Sequence, residues 1–255
     1  MKKSIFLAAL VLIGASCFAQ KSNVGKARNL ADAETPDYAG ARSAIEEALV
    51  NDETKDQANT WYVAGYVGYK EYEAEKFKPY TGKQMNVTVA ANAILESVKY
   101  WDKAYELSQV PTYDKKGKAK YDTRTPKNIL PKLKEYFESQ ILLVASTEVS
   151  ESDPALAYEY SKVHLSIPEK PVMTDNGEQL VCDTTYYVFM CQAGIYAYEA
   201  NLYNEAIEVL KLFETEKAKQ NAQRSVQIYA NQYLYQIYIE QQDTANAVAT
   251  LMSAI

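Results

Sequence analysis

The sequence predicts an all-α protein made of repeated pairs of antiparallel helices. Three observations lead there. Over long stretches apolar residues recur at three- and four-residue intervals, and few stretches alternate strictly. Pro36, Pro111, Pro126, Pro131, Pro154, Pro168 and Pro171 fall between those stretches, and Pro79 with Gly82 marks a further break. Two short patterns then return in series at a fixed separation.

Taken in order, residues 1–19 read as a secretory leader. Lys2 and Lys3 form its positive start, Ile5 to Ile13 its apolar core, and Cys17 and Ala19 the small positions before a cut at Gln20. The apolar run is too short to span a bilayer. The chain is therefore expected to be exported, to a periplasm or cell envelope, with residues 20–255 as the mature protein. Cys17 admits a second reading, lipidation as the first mature residue. Gly14, Ala15 and Ser16 precede it without the usual large aliphatic residue, so soluble export is preferred, and membrane attachment is expected only through that cysteine.

Beyond the leader, five segments carry a small or apolar residue, another four later and a third three after that. They are Ala41/Ile45/Ala48, Ser97/Trp101/Ala104, Leu156/Tyr160/Val163, Ala206/Leu210/Phe213 and Ala247/Leu251/Ala254. Upstream of four lies a second pattern: Trp61/Ala64/Gly65, Gln140/Leu143/Val144, Met190/Ala193/Gly194 and Asn231/Leu234/Tyr235. Val144 to Leu156, Gly194 to Ala206 and Tyr235 to Ala247 are each 12 residues, enough for a helix end, a turn and a helix start. Gly65 to Ser97 is 32, which places twenty extra residues near 77–96. The first segment has a second helix near 36–51 and no clear pattern before it. A small residue late in one helix lets the next cross closely, and such a pair leaves an apolar face bare until another stacks on it.

At these positions the sequence resembles the tetratricopeptide repeat family. Trp61-x2-Ala64-Gly65 and Met190-x2-Ala193-Gly194 match its first-helix motif. Asn204-Glu205-Ala206-Ile207 with Leu210, and Val163 followed by Pro168, match its second helix. The resemblance implies an α-solenoid of stacked helix pairs across the mature chain, in about five repeats. From Ala41, Ser97, Leu156, Ala206 and Ala247 the repeats advance by 56, 59, 50 and 41 residues. The family period is about 34, so long loops are expected between stacked pairs. The last pattern reaches the end of the sequence without a polar-faced closing helix. A partner, self-association through that end, or a longer protein would each account for this.

Composition removes most enzyme classes. One histidine and nine glycines leave little for multi-histidine metal sites or phosphate-cradling loops, and no cofactor is expected. The net charge of −6 gives no footprint for nucleic acid. Losing Lys2 and Lys3 from 27 basic residues leaves 25 against 33 acidic, a net of −8. H-E-x-x-H, G-x-S-x-G, the phosphate-loop motif and C-x-x-C are all missing, and Thr81-Gly82-Lys83 reads as a turn in the insertion. His164 reads as a packed or solvated helix residue. Lys115, Lys116, Lys118 and Lys120 read as a solvated basic loop. Cys182 and Cys191, about 13 Å apart if on one helix, read as two thiols, a bridge requiring Cys182 to fold back in a loop. The protein is expected not to be an enzyme.

The 22 tyrosines are the informative excess. Tyr62, Tyr66 and Tyr69 stand at i, i+4 and i+7, about 100° from the small-residue face of their helix. The resemblance implies that this face lines a concave groove. Its candidate residues are Asn59, Tyr62, Tyr66, Tyr69, Lys70, Glu138, Tyr198, Glu199, Tyr229, Gln232, Gln236 and Glu240. Filling of gaps in the core competes with display for each tyrosine, and display is preferred for the 62/66/69 stripe. The expected partner is a protein or peptide. The alternative is a glycan stacked on the same rings.

Overall fold

The computed structural model describes residues 22–253, which are mostly helical. The expected leader, with Cys17, and Ala254 and Ile255 lie outside the described residues. Among the described residues no helix is long and apolar enough to cross a membrane. Two compact units meet at Glu135 and Tyr136, inside a single helix.

The N-terminal unit runs through α1 (22–31), α2 (Tyr38–Leu49), α3 (Ala58–Phe77) and α4 (Val87–Ser108) into α5 (Arg124–Ser139). Asp37 and Asn86 start α2 and α4 by accepting hydrogen bonds from Gly40 N and Val89 N. Helices α3 and α4 form one long hairpin closed by a 3₁₀ turn, Lys78–Thr81, and by Gly82 at φ 74°. Glycine permits their close approach. A Cβ at Gly65 would sit 2.5 Å from the Trp101 ring, and one at Gly68 would sit 2.6 Å from the Ala93 carbonyl oxygen. Arg42 of α2 reaches Glu71 on α3 and Glu96 on α4, tying three helices together. Here the expected loop is corrected. The extra residues near 77–96 lengthen α3 and α4 to 20 and 22 residues, because the apolar spacing continues through Ala90, Ala91, Ala93 and Ile94, all buried.

Between α4 and α5 lies a short ribbon, β1 (Thr112–Tyr113) against β2 (Ala119–Lys120), with Thr112 opposite Lys120 and Tyr113 opposite Ala119. Helix α5 corrects a second expectation, since Pro126 lies in its first turn and Pro131 in its interior. The first site needs no amide donor. At the second, the buried stripe Ile129, Leu133 and Tyr136 outweighs the lost backbone bond.

The C-terminal unit comprises α6 (Ile141–Val149), α7 (Pro154–Ser166), α8 (Pro171–Thr174), α9 (Thr184–Glu199), α10 (Tyr203–Lys211), α11 (Glu216–Asn221), α12 (Arg224–Glu240) and α13 (Thr244–Ser253). Helix α6 packs on α7, α9 on α10 and α12 on α13; α7 also packs on α9, and α12 on both α9 and α10. Gly194 lets α9 approach α10, since a Cβ there would lie 2.5 Å from the Leu210 side chain. The ends of α9 and α12 are congruent. Asn201 and Gln242 take left-handed φ values of 62° and 60°. Around them Leu202 N bonds Ala197 O and Asn201 N bonds Tyr198 O, while Asp243 N bonds Tyr238 O and Gln242 N bonds Ile239 O. This is one helix-stop motif used twice, 41 residues apart. The expected anchor Gln140 is not helical: at φ 56° it breaks the chain between α5 and α6. Val144 on α6 and Leu251 on α13, expected to pack, are 47% and 49% exposed.

Candidate functional site

The 62/66/69 stripe is built as expected on α3, but other residues cover it. Tyr62 is 4% exposed and lies nearly parallel to Trp101, centroids 6.4 Å apart. Its ring stacks on Tyr66 at 6.0 Å, and Tyr66 stacks on Tyr69 at 6.3 Å. The Tyr66 hydroxyl donates to Asp32 at 2.7 Å, and the Arg28 guanidinium stands 5.0 Å over its ring. The Tyr69 hydroxyl donates to Glu135 at 3.2 Å, and Lys132 stands 4.7 Å over that ring. Both rings thus receive a cation on the face and a carboxylate on the hydroxyl. Burial, then the carboxylates, pushes both hydroxyls well above the usual tyrosine range. Burial lowers the Lys132 ammonium.

Tyr62 is buried, while Tyr66 and Tyr69 are half-buried with their hydroxyls engaged. The covering groups are 34 and 66 residues away along the chain, so helical spacing gave no sign of them. Lys70 is likewise engaged, with Glu73 at 2.9 Å and Asp32 at 3.8 Å. Asn59 is exposed beside a shallow cleft with Arg28, Thr54 and Gln57. A larger cleft of about 610 Å³ opens past the stripe, with Pro36, Tyr38, Ala74, Phe77 and Tyr80 on its apolar side. Lys70, Glu73, Lys76 and Glu135 line its charged side, and Lys76 pairs with Glu135 at 2.6 Å.

The C-terminal unit does bring predicted residues together on an open face. Tyr198 on α9 meets Gln236 and Glu240 on α12. Gln236 Nε2 donates to the Tyr198 oxygen at 2.7 Å, and the Tyr198 hydroxyl donates to Glu240 Oε1 at 2.6 Å. That bond, with a smaller burial effect, holds the Tyr198 hydroxyl up to about 12. Tyr229 is 50% exposed and meets Tyr233 edge-on at 5.3 Å, which in turn meets Tyr198 at 5.7 Å. Glu199 and Gln232 are exposed on the same two helices. Glu138 is exposed in the last turn of α5, before the Gln140 break and not on α6.

Tyr233 and Tyr203 were missed by the sequence reading. Tyr233 stands four residues after Tyr229 and three before Gln236, so strict helical spacing from Tyr229 would have found it. Tyr203 opens α10 and touches Tyr198 at 5.9 Å, a contact across a turn that spacing along one helix does not reveal. The face offers aromatic surfaces, amide donors and the carboxylates of Glu199 and Glu240, a chemistry of contact and hydrogen bonding.

His164 is 2% exposed, stacked on Phe137 at 4.7 Å, and burial lowers it to about 4. Cys182 stands in the loop before α9 and Cys191 is buried on it, both free thiols. Among the described residues no group of three or more His, Cys, Asp or Glu is arranged to hold a metal ion. Comparison with family models, with curated proteins and with solved structures returns no match from any of the three.

Proposed function

We propose that this is a non-enzymatic helical-repeat scaffold of tetratricopeptide type, exported to the cell envelope, that holds a peptide or protein segment on the α9–α12 face. The observation that carries the reading is the Tyr198–Gln236–Glu240 link, which fixes a polar rim joined through Tyr233 to the half-exposed Tyr229 ring. A ring already held by neighbours loses little freedom on binding, and tyrosine offers apolar area with a polar tip. The repeated helix-stop motif at Asn201 and Gln242, and the small-residue crossing at Gly194, support the repeat assignment. Export rests on the 1–19 leader alone.

Peptides selected from a displayed library provide the test. The selected peptide's affinity should fall at least about tenfold in the combined Tyr198→Ala, Tyr229→Ala, Gln236→Ala variant, with helical circular dichroism unchanged. Undiminished binding sinks the assignment of the face.

A second reading has its own support. Tyr229 presents a half-exposed ring one turn from the exposed Gln232, an arrangement that suits a sugar ring stacked on the aromatic with a hydroxyl paired to the amide. Saturable quenching of tyrosine fluorescence by an oligosaccharide, lost in Tyr229→Ala, would favour this glycan reading over the peptide.

A further inference from the structure

The ribbon between α4 and α5 concentrates positive charge in an otherwise acidic chain. Residues 112–121 carry four lysines and one aspartate, a net of +3 against −6 for the whole sequence, so the remainder stands at −9. The turn is closed by its own hydrogen bonds. Gly117 N bonds Asp114 O, Gly117 takes φ 75°, and the Asp114 carboxylate accepts from Lys116 N and Lys118 N. That turn puts Lys115 and Lys116 at its two corner positions. All four lysines are exposed, and none has an ion-pair or hydrogen-bond partner for its ammonium among the described residues. Elsewhere in the same unit Lys55, Lys70, Lys76, Lys78 and Lys103 each meet a carboxylate, whereas Lys26, Lys83, Lys99 and Lys127 are exposed singly and not in a run. Two tyrosines frame the run, Tyr113 at 69% and Tyr121 at 57% exposure.

We propose that this ribbon docks the protein on an anionic phospholipid bilayer. A small anion would meet one or two of these ammonium groups, since they stand on an open turn and enclose no cavity. A flat anionic surface meets all four, each adding to the attraction within a Debye length. Exposed tyrosines suit the same surface, because their rings seat at the headgroup level with the hydroxyl in water. Nucleic acid fits less well. It needs a longer basic track, and the rest of the chain would repel it. The attachment is independent of Cys17 and distinct from the α9–α12 face.

The test is vesicle co-sedimentation of residues 20–255, without the leader, which would bind lipid itself. Vesicles of phosphatidylcholine containing ~30% phosphatidylglycerol should carry the protein down, and pure phosphatidylcholine should not. Raising salt from about 0.05 M to about 0.5 M should release it. Replacing Lys115, Lys116, Lys118 and Lys120 by Gln should weaken binding at least about tenfold, while Arg at all four keeps it. Tyr113→Ala with Tyr121→Ala should weaken it by a smaller factor and leave the salt dependence intact. The proposal falls if the wild-type chain stays in the supernatant, if the Gln variant sediments equally, or if pure phosphatidylcholine serves as well. It also falls if inorganic phosphate at constant ionic strength releases the protein, or if a DNA oligonucleotide binds with equal affinity.

Discussion

The two tyrosine clusters begin from the same material and end differently. On α3, Tyr62 and Tyr69 pack on Trp101 with Tyr66 stacked between them, and Tyr66 and Tyr69 each meet a carboxylate and a cation from the end of α1 or from α5. On α9 and α12, Tyr198 and Tyr233 rest on the core with one edge and meet each other, Tyr203 and polar side chains with the rest, and Tyr229 keeps half its surface in solvent. Local sequence does not separate the cases. What separates them is whether a later part of the chain supplies charges that land on the rings. An aromatic stripe is a binding surface only where nothing else in the fold needs it.

The comparison breaks first at Trp101, which is 1% exposed beneath the α3 stripe. Trp101→Ala should cost about 3–5 kcal/mol in urea unfolding, while Tyr198→Ala should cost under about 1 kcal/mol. Equal losses would mean that both clusters are core.

Acid should sharpen the contrast, because the chain's single histidine lies in the C-terminal unit, stacked on Phe137 with Nδ1 meeting no hydrogen-bond partner among the described residues. With the folded group lowered from 6.5 to about 4, the unfolded chain binds the extra proton in that window, so stability falls as pH drops from 6.5 towards 4. The loss attributable to this group is at most about 3 kcal/mol. His164→Phe should remove that component, read as the difference between the two chains' unfolding midpoints across the window. Parallel midpoints at every pH would refute the assignment.

The smallest effect concerns hydroxyls. Tyr66→Phe strips the donor to Asp32 from a half-buried ring and should cost at most about 1 kcal/mol. Tyr198→Phe, on the open face, should cost only a few tenths of a kcal/mol while still weakening any ligand that uses the rim. A reversed order would place the working surface on α3.

The legibility of the fold follows the range of the interactions. Trp61, Ala64 and Gly65 against Ser97 and Trp101, and Gly194 against Leu210, were readable because a missing side chain on one helix and a bulky one on the next leave a fixed interval. The congruent stops at Asn201 and Gln242 lie where the 41-residue advance puts them. Gln140 misled because an apolar pattern runs on through Leu143 and Val144 while the backbone turns left-handed at its start. The 77–96 segment misled in the opposite sense, since a repeat count treats surplus residues as loop while their own spacing is helical. Of the candidate site, Tyr198, Tyr229, Gln236 and Glu240 were legible as positions on two first helices. Their mutual bonds were not.

By itself the sequence determined the helical character, the places where helices cross closely and the excess of tyrosine, because each is written within a few turns of chain as spacing or as the absence of a Cβ. Only the tertiary structure decided which tyrosines are paired with distant charges and which keep half their surface exposed. That difference depends on Asp32, Glu135 and Lys132 arriving over α3 from elsewhere in the chain, while among the described residues no charged group pairs with Tyr229 on α12.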